Sequence, residues 1–227
     1  MNRSLGFFAA ALLVLGGDAA TAQTAGQRPE ADALERLVQA ARANDEPVMW
    51  ASLSRASRRE LGPTLADFRL RGARGVRDTL APLAGHRVIL DTAVERRLAV
   101  VAIANRGQAF AAPVRQEGAA WKVELLPDFT VEAVRPLPGE RVVWRTQLAA
   151  EVVAPGKIVG AAVWFDGRLF DARLYWSPDG KRMSMWGEAP QPLANGRHTV
   201  IAFASAGREA AANAWTFTAR GRGSGSR

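Results

Sequence analysis

Side chains able to do acid–base or nucleophilic chemistry are scarce in this chain. Its 227 residues include two histidines, His86 and His198, and no cysteine. Without cysteine there is no disulfide, no thiolate nucleophile, no cysteine-ligated zinc and no iron–sulfur cluster. Two histidines are too few for a multi-histidine metal site, so no cofactor and no metal ion is expected. His86 follows Gly85 at the start of an alternating run, and Asp67 and Asp91 are the carboxylates available to it in the same segment. A pocket base needs a partner and a dry site to tune its pKa. Nothing in the spacing brings either aspartate to His86, so His86, Asp67 and Asp91 stand only as weak pocket candidates. "SLSRASRRE" supplies serines without a nucleophile elbow or a triad partner. Asp128, Asp166, Asp171 and Asp179 fall at turns, where aspartate serves the backbone. "GRGSG" near the end lacks the preceding strand and following helix of a phosphate loop. His198, in "PLANGRHTV", is the remaining candidate, and the question is whether it does chemistry or holds a turn.

The elements that would position these residues change period partway along the chain. Over residues 30–85 the pattern is helical: Leu34, Leu37, Val38 and Ala41 recur at i, i+3, i+4 and i+7. Pro29 precedes this run and Asn44-Asp45 ends it. A second helix is expected over residues 47–60, burying Trp50, Leu53 and Leu61, with Gly62-Pro63 as the stop. Residues 65–83 give a third helical stretch, which Gly72 and Gly75 weaken towards two short helices. After Gly85 the period is two. "RVILDTAVE", "LAVVAIA", "QAFAAPV" and "AAWKVEL" read as a meander with glycine-bearing turns. In the last of these Trp121, Val123 and Leu125 alternate with Lys122 and Glu124, which predicts one buried face. Helices followed by an antiparallel sheet make an α+β unit. Proline is dense over residues 127–140, which predicts a stiff connector. From residue 141 onwards everything reads as strand and turn, the signature of a β-sandwich over residues 129–219. Residues 220–227 make a basic tail with no core residue.

The first residues, "MNRSLGFFAAALLVLGGDAATAQ", have a basic start, a short apolar run and a small-residue site at Ala20-Thr21-Ala22. That predicts a signal peptide over residues 1–22, a mature start at Gln23 and an extracytoplasmic location. The apolar run is shorter than the roughly 20 residues needed to span a bilayer, so no transmembrane segment is expected in the mature chain. Net charge is +8, carried almost wholly by arginine. It is unchanged by removing residues 1–22, because Arg3 and Asp18 leave together. Such a protein is drawn to anionic polymers. An anionic cell-envelope polymer or another envelope protein is the expected partner, and no specific nucleic acid is expected. Nothing in the pattern sets an oligomeric state.

Two resemblances follow from these stretches. "VMWASLSRASRRELG", the meander and "GAAWKVELL", spanning residues 29–126, resemble small exported NTF2-like (cystatin-like, cone-shaped α+β) domains. "VWFDG", "SPDGKRMSMWG", "PLANGRHTVIAFA" and "AWTFTA" resemble the Ig-like sandwich domains of exported bacterial proteins. The second resemblance implies a role for His198. Ig-like sandwiches pin one corner with a tyrosine that bonds to backbone a few residues upstream. His198 takes that place, with a backbone partner expected between Leu193 and Asn195. It also implies that Trp164, Trp176 and Trp186 are buried core. The first resemblance implies a cone, either open and lined by His86, Asp67 or Asp91, or filled by Phe68, Trp50 and Trp121. The combined expectation is a non-catalytic binding or scaffolding protein of the cell envelope. The alternative is an enzyme or small-ligand carrier using the cone.

Overall fold

The structure is a computed structural model, and it describes residues 28–143 and 145–220. The expected signal peptide and mature start, and all but the first residue of the expected tail, lie outside the described residues.

Helix α1 (Pro29–Ala43) buries Leu34, Leu37, Val38 and Ala41 and stops where Asn44 turns left-handed, at φ 55°. The helix expected over residues 47–60 is two helices, α2 (Glu46–Ser52) and α3 (Arg55–Leu61). Ser54 is the reason. Its backbone N–H donates to Val123 O at 2.8 Å, and its hydroxyl caps α3 by accepting from Ser57 N. The chain therefore leaves the helix at Leu53, which forms a parallel bridge to Val123. The next stretch splits into α4 (Leu65–Arg71) and α5 (Ala73–Leu80) at Gly72. A Cβ there would lie 2.6 Å from Leu61 O, so glycine permits the close helix–helix approach. A single 3₁₀ turn, Ala81–Leu83, completes the helical layer.

Strands β1 (Arg87–Glu95), β2 (Leu98–Asn105), β3 (Gln108–Glu117) and β4 (Ala120–Val123) form an antiparallel meander in sequence order. Arg106 and Gly107 both have positive φ in the β2–β3 turn, the geometry that matches a two-residue hairpin to strand twist. The remaining strands make two further sheets. One has the order β10 (Arg173–Trp176), β11 (Arg182–Glu188), β7 (Gln147–Val153), β5 (Thr130–Arg135). The other runs β6 (Arg141–Val143), β13 (Glu209–Arg220), β12 (Gly196–Ala206), β8 (Gly160–Phe165), β9 (Arg168–Phe170). Only the β6–β13 pairing is parallel among these sheets. Among the described residues the architecture is α+β, with five α-helices and three mostly antiparallel sheets.

Three cores stack these elements into four layers. Helices cover one face of the β1–β4 sheet through Leu34, Leu37, Met49, Leu53 and Phe68 against Val101, Ile103, Val114 and Val123. The opposite face of that sheet, with Leu98, Val100, Ala102 and Ala111, meets Trp164, Ile201, Phe203, Ala210 and Ala214. Beyond it, Val200, Ala202, Trp215 and Phe217 face Val131, Leu148, Val152, Met183 and Met185. Successive residues of β12 thus serve two different cores. Residues 127–140, read as a connector, contain β5, and Phe129 and Val131 are buried. The expected core tryptophans divide. Trp164 is buried, but against the β1–β4 sheet. Trp176 is 51 % exposed, because β10 is an edge strand, and Trp186 is half-buried under the Arg173 guanidinium.

Candidate functional site

His198 lies near the start of β12 and is 6 % exposed. Its ring sits between Phe165 and Phe217, with centroids 5.3 and 5.4 Å away. Nε2 is 2.9 Å from Ala194 O, and Nδ1 is 2.7 Å from Asp166 Oδ2. Asp166 is itself fixed in the β8–β9 turn, where its other carboxylate oxygen accepts Thr199 N at 2.8 Å. A histidine beside an aspartate is the arrangement of a catalytic base and its orienter. Here the far nitrogen faces a carbonyl rather than a nucleophile, and a carbonyl has no proton to give. A neutral imidazole has one N–H, so it donates to one of these two oxygens at a time. The ring ties the β8–β9 turn, at residue 166, to the stretch that enters β12, at residue 194.

The pocket candidates are not brought together by any hydrogen bond or ion pair among the described residues. His86 Nδ1 lies 3.2 Å from Leu83 O and closes the turn that enters β1. Asp67 accepts the Thr64 hydroxyl at 2.7 Å while its N–H donates back to Thr64 Oγ1, a reciprocal cap on α4. Asp91 has a side chain only 6 % exposed, with the Arg28 guanidinium 3.9 Å away and no hydrogen bond to Oδ2. Burial raises its pKa, Glu30 adds to the rise and Arg28 opposes it. The cone between helices and sheet is filled by Phe68, Met49 and Leu53, all without exposure, while Trp50 and Trp121 pack on it half-buried. The serines of "SLSRAS" are structural: Ser52 Oγ donates to Val48 O, and Ser57 Oγ accepts Leu125 N at 2.7 Å.

The residue that pattern reading misplaces is Glu124. Alternation with Val123 puts it on a solvated face, yet it is 2 % exposed. One carboxylate oxygen accepts Arg115 Nε at 2.7 Å, and the other accepts Ala210 N at 2.8 Å. Burial raises its pKa and Arg115 opposes the rise. Glu124 lies in the wall of an apolar groove of about 350 Å³, which also includes Leu61, Gly75, Phe110, Leu126 and Phe129. A buried carboxylate beside a groove is the setting of many general acids. Both oxygens are already occupied, however, so this one joins β4 to β13. The Thr216 hydroxyl donates to Gly107 O and makes a second such link. Among the described residues there is no cluster of three or more metal-ligating side chains, and no helix is long and apolar enough to cross a membrane.

No family model matches the chain, and no curated protein sequence does. Partial similarity in structure exists to an endo-β-1,4-mannanase from Thermotoga petrophila (TM-score 0.35, 10 % identity, 44 % of this chain and 21 % of that one). A lytic polysaccharide monooxygenase of Jonesia denitrificans gives TM-score 0.26 at 19 % identity, over 37 % of this chain and 60 % of that one. A tandem of titin Ig domains gives 0.28 at 8 % identity, over 56 % and 63 %. The chain spans less than two thirds of each of these proteins, and at these scores none of the likenesses bears on function.

Proposed function

We propose that this is an exported, non-catalytic binding or scaffolding protein of the cell envelope, with an NTF2-like unit backed by an Ig-like sandwich. The sandwich reading is supported by strand order. Taking β5, β7, β11 and β10 as A, B, E and D, and β13, β12, β8 and β9 as G, F, C and C′, matches the two sheets of an immunoglobulin sandwich with C′ added to the GFC sheet. His198 then stands near the start of strand F, where a tyrosine corner would be. The observation that carries the functional reading is the filled cone. With Phe68, Met49 and Leu53 occupying the space an NTF2-like enzyme keeps for substrate, the fold offers surfaces rather than a reaction chamber. The net charge of +8 makes an anionic envelope polymer the partner. The test is co-sedimentation of the chain from Gln23 onward with isolated anionic wall polymer. Binding should weaken steeply from low to physiological salt, because exposed charges are screened over about 8–10 Å. Binding that is absent at low salt, or indifferent to salt, refutes it. N-terminal sequencing of protein recovered outside the cytoplasm should begin near Gln23, and recovery of Met1 counts against export.

One observation favours a second reading, a small-ligand carrier: the groove beside Glu124 is apolar and open. An apolar fluorescent probe that binds the protein and is displaced by Gly75→Leu would support it.

A further inference from the structure

Residues 55–77 carry seven arginines against two carboxylates, Glu60 and Asp67. Four of the seven have ion-pair partners: Arg55 with Glu117, Arg69 with Glu46, and Arg74 and Arg77 with Asp78. Arg58 has none among the described residues, and its guanidinium lies 4.7 Å over the ring of Trp50. The next residue, Ala51, accepts Lys122 Nζ at 2.6 Å. Two successive residues of α2 therefore gather a guanidinium from α3 and an ammonium from β4. Arg36, on the exposed face of α1, also has no ion-pair partner among the described residues. Helix α1, which carries Arg36, packs against both α2 and β4, the elements that carry Trp50 and Lys122. The Lys122 pKa is lowered first by burial and then by Arg58 and Arg36, with Glu117 opposing. Glu117 is itself held by Arg55, whose N–H donates to it at 2.8 Å.

Like charges brought together with less counter-charge than they carry raise the free energy of the unliganded protein, and a bound anion relieves it. Two guanidinium forks and an ammonium suit a group with several negative oxygens, because Arg pairs bidentately with phosphate. We propose that Arg36, Arg58 and Lys122 form a site for the phosphate groups of a soluble anionic polymer. This rests on the binding role proposed above and gives it a location.

The probe is linear polyphosphate, titrated into the chain from Gln23 onward at low salt and followed by calorimetry and tryptophan fluorescence, since Trp50 lies under Arg58. The R36Q/R58Q/K122Q variant should lose affinity about tenfold or more. A control with equal charge removed from the sandwich, R168Q/R182Q/R208Q, should change by about twofold or less. The double variant R36Q/R58Q keeps the Lys122–Ala51 bond and supplies the comparison if the triple variant melts early. Equal losses in both triple variants overturn the site and leave the broader binding role standing. Binding only to vesicles of phosphatidylglycerol and phosphatidylcholine overturns the soluble-polymer assignment. No binding to either probe overturns the site together with the polymer reading.

Discussion

Replacing Glu124 by alanine removes two acceptor oxygens and strands two donors. Ala210 N is the costlier, because its residue has no exposure and water does not reach it. An unsatisfied buried N–H costs about 1–3 kcal/mol. Arg115 loses a charge-assisted bond of 2.7 Å, worth about 1.5–3 kcal/mol. Its side chain keeps 22 % exposure, so water recovers part of that. The expected total is about 3–5 kcal/mol, the range for breaking a buried pair by removing one partner. For a chain of this length that lowers the melting temperature by on the order of 10 °C. Glu124→Gln keeps an oxygen for Ala210 N and fills the same space, but it turns an NH2 towards Arg115 and loses that bond with the charge, so it should cost less than alanine without matching wild type. Urea melts followed by far-UV circular dichroism, for the helices, and by tryptophan fluorescence, for Trp164 at the middle core, measure both variants. An alanine variant within about 0.5 kcal/mol of wild type, or a glutamine variant as unstable as alanine, refutes the reasoning.

Asp91→Asn should raise stability at neutral pH, with the advantage shrinking as pH falls. The folded-state pKa of Asp91 is raised, so the folded protein holds that proton more tightly. The group's contribution is greatest below the ordinary carboxylate value and is lost as pH rises through the raised one; melts across that window check the sign. His198→Ala should cost about 1–3 kcal/mol, and His198→Tyr less, since Tyr also presents a donor at the end of a flat ring; denaturant midpoints that leave Ala level with wild type contradict the corner. Gly75→Ala should stabilise by about 0.5–1 kcal/mol, because Gly75 is inside α5 and a Cβ there meets nothing within 4 Å; a lower melting temperature refutes the reading that the position has room for a side chain.

The helices and strands were legible because each buries one face, and a one-faced element writes its period into the sequence. Leu34, Leu37 and Val38 announce α1, and the turn glycines announce the hairpins. What escaped is whatever depends on a second buried face. β2 contains "LAVVAIA" and β12 contains "VIAFA", apolar at every position, which is the pattern of a strand covered on both sides. Read that way, the far face of the β1–β4 sheet must be covered too, and Glu124, which lies on it, must be buried. Ser54 hid its role because a serine inside a helical pattern scores as neutral, while its bond to Val123 is set by tertiary contact. Trp176 misled for the opposite reason: hydrophobicity says nothing about whether a strand is central or at an edge. For His198, the resemblance to an Ig-like corner placed a backbone partner between Leu193 and Asn195, and Ala194 O is 2.9 Å away. The second partner, Asp166, lies 32 residues off in sequence, beyond the reach of local spacing.

The middle core has a consequence for how the chain comes into being. The helical half emerges first from the ribosome, and early parts of a chain fold before later ones arrive. Until β8 and β12 are made, that half has nothing to lay over Leu98, Val100 and Ala102, and Glu124 waits for an N–H that belongs to the last strand. Nascent chains stalled before residue 160 should therefore display a sticky sheet, and a holding factor that shields it would act on this protein during synthesis rather than after it.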